Sequence, residues 1–293
     1  MSSVIVPSSE AFSRDVIRLR GALGLSNRDA RSEVELLLMR ALNISRARLI
    51  AHPQLAAAAQ YNEMYRSALE RRLAGEPMAY ILGEREFYGH VLSVSPEVLI
   101  PRPETELLVD MALARLDPDK PARLLDLGTG SGAIAIAIAL QRPNVEVTAV
   151  DVSPACLDIA KGNCERLTGD GERIHWLLSD WYDQLGGTRF DVIVSNPPYI
   201  AEGDDHLRSG DIRFEPRTAL VSGAKGLDAL QAIIGLAPEY LAEGGWLLCE
   251  HGYDQSGPVR QMLTHAAFPE LVAERDLAGV LRVSGGCWLT VAA

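Results

Sequence analysis

The chain has 293 residues, of which 47% are hydrophobic and 23% are charged, and its formal net charge at pH 7 is −11. This length allows one large domain or two ordinary ones, and the composition is that of a globular protein. No segment has the roughly 18 uninterrupted apolar residues that a membrane span needs, and Met1–Pro7 lacks the basic and apolar regions of a signal peptide. The acidic charge disfavours a duplex-DNA binder, because such proteins neutralise phosphates with basic residues. A local basic patch would still permit binding to duplex DNA.

The four cysteines do not resemble a metal site or a redox pair. None forms a Cys-x-x-Cys pair, and no histidine cluster accompanies them at metal-ligand spacing. They are Cys156, Cys164, Cys249 and Cys287. We therefore expect free, mostly buried thiols, no metal site and a reducing, cytoplasmic location.

Residues 1–77 predict a helical bundle. Ser26, with an acid three residues later at Asp29, is typical of a helix start. Apolar residues then recur at helical spacing at Val34, Leu37, Leu38 and Ala41. A second stripe of this kind, ended by Gly75 and Pro77, comprises Tyr61, Met64, Tyr65, Ala68, Leu69 and Leu73. We interpret both stripes as the core of the bundle.

The rest of the chain predicts an α/β domain over 104–293, joined to the bundle by a linker over 78–103 that contains short strands in a hairpin. The predicted strands are Arg123–Leu127, Val145–Val150, Ile174–Leu178, Phe190–Ser195 and Trp246–Cys249, with two more between Leu271 and Val291. The predicted helices are Ala133–Leu140, Pro154–Leu167 and one around Leu230–Ala237 that ends at Gly244-Gly245. Such alternation predicts a mostly parallel sheet with helices on both faces.

A glycine-rich turn follows the first of these strands and opens a helix. Its residues are Asp126, Gly128, Thr129, Gly130, Ser131 and Gly132. The glycines allow a tight turn and close approach of a ligand to the backbone, and the helix N-terminus supplies free N–H donors. Asp151 ends the next strand, where a carboxylate can accept both ribose hydroxyls of a nucleoside cofactor.

These residues alone leave three interpretations open: a nicotinamide dinucleotide site, an S-adenosylmethionine site and a purely structural turn. Asp126 favours the second, because a carboxylate suits a positively charged methionine moiety better than a pyrophosphate. After the third strand, Asp180 could accept the amino N–H of an adenine, and Trp181 could pack on its ring. The alternative is an exposed turn acid and a core tryptophan.

The strand Phe190–Ser195 ends in Asn196-Pro197-Pro198-Tyr199. The prolines stiffen the turn and remove backbone donors, so the side-chain carbonyl of Asn196 and the backbone carbonyl of Pro197 remain as acceptors. Two acceptors can hold both N–H bonds of a planar amide or aromatic amine and aim its nitrogen at a sulfonium methyl, while Tyr199 stacks on the plane. Orientation contributes up to roughly 7–11 kcal/mol, against about 1 kcal/mol for each hydrogen bond. The motif predicts N-methyl transfer with Asn196, Pro197 and Tyr199 as catalytic residues, Asn196–Tyr199 on the substrate and Asn196 also in contact with the cofactor.

With these motifs, the sequence resembles the PrmC/HemK family of peptide chain release factor glutamine N5-methyltransferases, over nearly the whole chain. Further matching signatures are Arg72–Gly83, Glu86–Gly89, Ile100–Glu106, Glu215-Pro216, Ala219-Leu220, Gly226-Leu227, Asp276–Gly279 and Arg282. The resemblance implies a class I S-adenosylmethionine-dependent methyltransferase domain, with a Rossmann-like, mostly parallel seven-stranded sheet, behind an N-terminal helical bundle.

The resemblance also implies the reaction. S-adenosylmethionine is the methyl donor, S-adenosylhomocysteine is the product, and the acceptor is the glutamine of the Gly-Gly-Gln motif in class 1 release factors. Asn196 and the backbone after it hold that amide, and Tyr199 packs beside it.

The sequence leaves the roles of several positions open. Lys225, His251 and Leu281 depart from the family pattern, outside the predicted transfer site. The long polar segment 200–226 is expected to cover the site or to grip the substrate protein. Arg102 and Glu104 either shape the entrance near the methionine moiety or form a surface ion pair.

Other functions fit part of the pattern. An adenine-N6 DNA methyltransferase and a glutamine methyltransferase acting on a ribosomal protein use the same local chemistry, although the first needs base flipping and phosphate contacts. A binding protein without catalysis should have lost some of the glycine turn, Asp151 or Asn196, and all are intact. A nicotinamide oxidoreductase leaves Asn-Pro-Pro-Tyr unexplained. We expect a monomer with no direct nucleic-acid or membrane contact.

Overall fold

The computed structural model describes residues 10–52, 54–59 and 62–289. They divide into two compact units. Unit 1 runs to Gly83 and includes Arg208–Phe214, whereas unit 2 comprises Glu84–Leu207 and the chain from Glu215 onward. No helix in these described ranges has the length and apolar character needed to span a membrane.

Unit 1 is helical in its described part, as the sequence predicts. Its helices are α1 (Glu10–Leu23), α2 (Asn27–Leu42), α3 (Arg46–Ala51), α4 (Gln54–Ala59), α5 (Glu63–Leu73) and α6 (Met78–Leu82). The predicted start at Ser26 is confirmed, because its hydroxyl accepts the backbone N–H of Asp29 and so satisfies one free donor of the first turn. Asn62 caps α5 in the same way through the N–H of Tyr65.

The core of unit 1 forms where α1, α2 and α5 meet, and its most buried members include Leu19, Val34, Leu37, Leu38, Tyr65 and Leu69. Both predicted stripes therefore contribute, but Met64 is 61% exposed, so its prediction as a core residue is wrong. Tyr65 and Leu69 lie one turn apart on the buried face, and Met64 is rotated about 100° away from Tyr65. Tyr61 lies outside the described residues.

A buried arginine holds the segment Arg208–Phe214 within unit 1. The guanidinium of Arg72 donates to both carboxylate oxygens of Glu33 at 2.8 and 2.9 Å. It also donates to Asp211 at 3.2 Å. Since Arg72 is 6% exposed, these bonds compensate for removing its charge from water.

Unit 2 contains a short hairpin and an α/β domain. Its helices are α7 (Glu106–Leu113), α8 (Ala133–Gln141), α9 (Pro154–Thr168), α10 (Asp228–Tyr240) and α11 (Ser256–His265). Its strands are β1 (Glu84–Phe87), β2 (His90–Ser93), β3 (Ala122–Leu127), β4 (Val145–Asp151), β5 (His175–Leu178), β6 (Phe190–Ser195), β7 (Leu241–Glu250), β8 (Glu270–Arg275) and β9 (Leu281–Cys287). The antiparallel pair β1–β2 is the hairpin predicted between the bundle and the sheet.

The part of the chain that the structure describes forms a seven-stranded sheet in the order β5-β4-β3-β6-β7-β9-β8. Strands β3 to β7 pair in parallel, and β9 is antiparallel to both β7 and β8. The chain moves outward from β3 through β4 to β5 and then returns to β6 on the other side of β3. Ligands of open α/β sheets bind at such a reversal, outside the carboxyl ends of the strands.

One of the helices that cover the sheet, α8, is apolar nearly all round. In α8, every residue from Ala133 to Ala139 is buried, because small alanines let the helix lie close to the sheet while the isoleucines fill the space between them. The predicted mostly parallel, seven-stranded architecture is confirmed, and all four cysteines are buried as predicted.

Three helices were not predicted: α6, α7 and α11. The predicted end of α10 at Gly244-Gly245 is wrong, since the helix ends at Tyr240, soon after Pro238. Both glycines lie inside β7, beside a register shift of its pairing with β6. A side chain on Gly245 would meet the backbone oxygen of Phe190 at 3.0 Å, so the glycine serves strand packing rather than a helix end.

Candidate active site

A cavity in unit 2 opens at the carboxyl ends of β3, β4, β5 and β6. It is lined by Glu97, Leu99, Gly128, Gly130, Asp151, Val152, Ser153, Cys156, Ser179, Asp180, Trp181, Asn196, Pro198, Pro216, Thr218 and Ala219. The fold therefore brings the glycine turn, the acid after β4, the Asp180-Trp181 pair and the Asn-Pro-Pro-Tyr turn to one place.

The glycine turn needs glycine at three positions. Gly128, Gly130 and Gly132 have φ values of +76°, +56° and +82°, which side chains rarely adopt. The backbone N–H groups of Gly128 and Thr129 donate to the carbonyl of Val150 at 3.0 and 2.9 Å, which fastens the turn to the end of β4. A side chain on Gly132 would also meet Ala160 at 3.1 Å.

Asp151 connects this turn to the start of α9. Its Oδ2 accepts the N–H of Gly130 at 2.9 Å, and its Oδ1 accepts the N–H of Ser153 at 2.9 Å. Each carboxylate oxygen has a second lone pair, so both oxygens can still accept a hydroxyl from a ligand in the cavity. The residue is 8% exposed, which limits competition from water.

Asp180 and Trp181 form the wall beyond β5. Trp181 has a φ of +44°, which is strained for a bulky side chain and is typical of functional sites. Its conformation is supported by Ser179, whose hydroxyl donates to the Trp181 carbonyl at 3.1 Å. The indole lies against Gly128, where an added Cβ would meet the ring at 3.4 Å. Asp180 is exposed and lines the cavity.

Asp126 is fully buried beneath the glycine turn and is not among the residues that line the cavity. Its Oδ2 accepts the hydroxyl of Thr129 at 2.7 Å. Burial raises the pKa of this carboxyl to about 7, against the lowering effect of the hydrogen bonds from Thr129 and the backbone of Ala135. Thr129 and Ser131 are also buried and absent from the lining.

Asp126→Asn is expected to gain stability relative to the natural protein as the pH rises. The folded carboxyl keeps its proton up to about pH 7, whereas the unfolded one loses it near 3.8, so the natural protein loses unfolding free energy as pH rises through this window. Between about pH 5 and pH 8 this linkage amounts to about 2–3 kcal/mol, and the amide lacks it. Urea unfolding of both proteins measures the difference. A difference that does not change with pH would contradict the raised pKa.

The Asn-Pro-Pro-Tyr turn follows β6 and is held on both sides. The hydroxyl of Ser195 donates to the carbonyl of Leu127 at 2.7 Å, so the end of β6 is tied to the end of β3. Beyond the turn, the amide of Gln255 donates to the carbonyl of Tyr199 at 2.9 Å. Asn196 and Pro198 line the cavity, whereas Pro197 and Tyr199 do not.

Asn196 presents one satisfied and one unsatisfied amide atom. Its Nδ2 donates to the hydroxyl oxygen of Thr105 at 3.1 Å. Its Oδ1 is buried and has no hydrogen-bond partner among the described residues. A buried acceptor without a partner is unfavourable by about 1–3 kcal/mol, so its presence beside a cavity indicates a donor supplied by a ligand.

Glu250 and Thr105 complete this region, and the sequence motifs did not single out either of them as a site residue. Glu250, at the end of β7, accepts the hydroxyl of Thr105 at 2.7 Å and that of Tyr199 at 3.2 Å. Burial raises the pKa of Glu250 to about 7. The available signal was an acid directly after the apolar run Trp246–Cys249, at the same sheet edge as Asn196.

Part of the segment 200–226 lies over the cavity. Its residues Pro216, Thr218 and Ala219 line the cavity together with Glu97 and Leu99. The buried carboxylate of Glu215 holds this part in place.

Glu215 accepts the backbone N–H of Ile100 at 3.1 Å and pairs with Arg102. Arg102 thus belongs to an ion pair with a buried partner, and Glu104 does not line the cavity.

Comparison with known proteins agrees with this architecture. Residues 104–212 match the methyltransferase small domain family, and residues 19–83 match the PrmC N-terminal domain family. The hMettl16 catalytic domain, solved with the MAT2A 3'UTR hairpin 6, aligns with a TM-score of 0.55 and 19% identity over 77% of this chain and 82% of that one. The T. thermophilus 16S rRNA methyltransferase RsmC, solved with AdoMet and guanosine, aligns with a TM-score of 0.50 and 22% identity over 70% of this chain and 49% of that one.

The sheet order, the glycine turn at the strand reversal and these matches define the protein as an enzyme of the class I methyltransferase fold. Proteins named release factor glutamine methyltransferase are 51% identical in Bordetella pertussis and 47% identical in Xylella fastidiosa. These alignments cover 87% and 89% of this chain, and 94% of each relative. The chain belongs to the release factor glutamine methyltransferase family.

Proposed function

We propose that the protein transfers a methyl group from S-adenosylmethionine to the side-chain amide nitrogen of the glutamine in the Gly-Gly-Gln motif of class 1 release factors. Such a substrate places the reaction in the cytoplasm, where release factors act. The observation that carries the proposal is the Oδ1 of Asn196 at the wall of the cavity, which has no hydrogen-bond partner within the described ranges. A primary amide supplies the N–H donor that this oxygen lacks.

The residues of the cavity fit S-adenosylmethionine. Gly128 and Gly130, which line the cavity, have no side chains to block a ligand, and Asp151 keeps free lone pairs toward the cavity for two ribose hydroxyls. Asp180 and Trp181 line the adjacent wall, where an acceptor and an aromatic face suit an adenine. When bound, this cofactor supplies a methyl group made electrophilic by the positive charge on its sulfur. The bound AdoMet in the structure of the T. thermophilus relative of this fold supports the choice of ligand.

The chain's own contribution to the reaction is orientation. We assign the Oδ1 of Asn196 and the backbone carbonyl of Pro197 as acceptors for the two N–H bonds of the substrate amide, with Tyr199 packed beside its plane. An amide nitrogen is a weak nucleophile because its lone pair is delocalised, so fixing its position and tilt is the main way to accelerate attack. The amide proton leaves to Asn196 or to water, without a strong base.

Two other substrates use the same local chemistry. An adenine amine in DNA would require a phosphate-binding surface, and the net charge of −11 does not favour one. A ribosomal-protein glutamine would fit the turn equally well. The names of the relatives favour release factors over both.

The experiment is a transfer assay with S-adenosylmethionine labelled on its methyl group. The substrates are a class 1 release factor, its Gln→Ala variant in the Gly-Gly-Gln motif, and duplex DNA as a control. Label on the natural factor alone is the expected result. Label on the Gln→Ala variant or on DNA would contradict the proposed acceptor, as would bound S-adenosylmethionine without label on any factor.

A further inference from the structure

We propose that Glu250 and Thr105 are positioning residues that determine which end of the Asn196 amide faces the substrate. The inference rests on the proposed function, because it explains how Asn196 is held ready to accept an N–H from the glutamine amide. Neither residue lines the cavity, and the hydroxyl of Thr105 links Glu250 to the Nδ2 of Asn196, so both act through Asn196 rather than on the substrate.

The three side chains form one chain of hydrogen bonds. The hydroxyl of Thr105 lies 2.7 Å from Oε2 of Glu250, and the Nδ2 of Asn196 lies 3.1 Å from the same hydroxyl oxygen. Thr105 is 4% exposed and Glu250 is 1% exposed, so water does not compete for these bonds. The other oxygen of Glu250 accepts the hydroxyl of Tyr199 at 3.2 Å, which fixes the carboxylate.

The carboxylate of Glu250 fixes which group donates and which accepts in these hydrogen bonds. An ionised carboxylate can only accept, so the single proton of the Thr105 hydroxyl must point to Glu250. The hydroxyl oxygen then has only lone pairs left for Asn196, and the amide can satisfy them only with its Nδ2 group. The Oδ1 atom consequently remains available as an acceptor, and it has no hydrogen-bond partner among the described residues.

A neutral partner in place of the carboxylate would remove this direction. If residue 250 donated a proton to Thr105, the hydroxyl of Thr105 could donate to Asn196 instead. The amide of Asn196 could then rotate and turn its Nδ2 toward the substrate. Two N–H donors would face each other, and the substrate amide would lose an acceptor.

The surroundings of Glu250 shift its pKa toward neutral pH. Burial raises its pKa to about 7, whereas the hydrogen bonds from Thr105 and Tyr199 and the charge of Arg282 act in the opposite direction. The charge of Glu104 raises it further. The neighbouring His251 is kept neutral, because burial lowers its pKa. Methyl transfer should therefore increase as Glu250 loses its proton.

The test compares Thr105→Val, which keeps the shape and removes the hydroxyl, with Thr105→Ser, which keeps the hydroxyl. We expect Thr105→Val to lower kcat on the release factor about 10- to 100-fold, because Asn196 loses the acceptor that orients it. Thr105→Ser should recover most of this loss. Affinity for S-adenosylmethionine, measured by calorimetry, should change less than about threefold in both variants. Thr264→Val on the exposed face of α11 serves as a matched control.

Glu250→Gln provides a second test through the pH profile. The natural enzyme should show a rise in kcat between about pH 6 and pH 8, and the variant should lack this rise and have a lower plateau. The proposal is overturned if Thr105→Val and Glu250→Gln keep kcat within about twofold with an unchanged pH profile. It is also overturned if Thr105→Ser is as impaired as Thr105→Val, because packing would then explain the loss. Absence of label on the release factor with the natural enzyme would instead contradict the proposed function.

Discussion

Asn196→Ala is expected to lower methyl transfer to the release factor by a factor of about 100 or more, with binding of S-adenosylmethionine changed only a few-fold. The side chain supplies the one buried acceptor at the cavity wall that has no partner among the described residues. Without it the substrate amide loses a hydrogen bond and, more importantly, its fixed orientation, which is the larger part of the rate enhancement. Single-turnover measurements with labelled cofactor separate the transfer step from binding.

Asn144→Ala is the matched control for this variant. Asn144 is exposed, and its amide makes a long hydrogen bond of 3.4 Å to the carbonyl of Pro118. Its removal should leave both binding and transfer unchanged. If Asn196→Ala kept more than about a third of the natural transfer rate, Asn196 could not be the residue that orients the amide.

Asp151→Asn is expected to weaken the binding of S-adenosylmethionine about 10- to 100-fold, in line with the loss of a charge-assisted hydrogen bond. Both carboxylate oxygens already accept a backbone N–H, from Gly130 and from Ser153. An amide has only one oxygen, so its NH₂ group must face one of these donors. The variant would therefore disturb the glycine turn as well as the contact with the ribose.

Asp158→Asn, on the exposed face of α9, controls for the loss of one negative charge in this region. Calorimetric titration of both variants with S-adenosylmethionine gives the comparison. Thermal unfolding without ligand shows whether the folded state is retained. Equal affinities of Asp151→Asn and the natural protein would exclude Asp151 from the cofactor site.

The sequence was informative where a ligand-binding feature is contained in a short stretch of chain. A buried strand, three glycines and a helix together predict the turn after β3, because only glycine tolerates the backbone angles that the turn requires. Asn196 and Pro198 are similarly predictable, since the turn that follows a parallel strand lies at the ligand-binding edge of the sheet. The resemblance to a family added the substrate to this local chemistry.

Contacts between distant segments were not predictable in this way. Thr105 and Glu250 are 145 residues apart and meet only because α7 begins beside the end of β7, which is itself the parallel neighbour of β6. The surroundings of Asp126 were likewise not predictable from the local sequence. Its position beside the glycine turn suggested a contact with the cofactor, but the tertiary structure buries its carboxyl beneath the turn.

The sequence by itself determined the strand, turn and helix units of the α/β domain and the residues that their ends present, because backbone conformation and apolar periodicity are local properties. The tertiary structure decided the order of the strands, the cover that Glu215 and Pro216–Ala219 provide over the cavity, and the buried partners of Asn196. These features depend on which buried polar groups satisfy one another across the sheet edge. That pairing is settled only when the strands have taken their places.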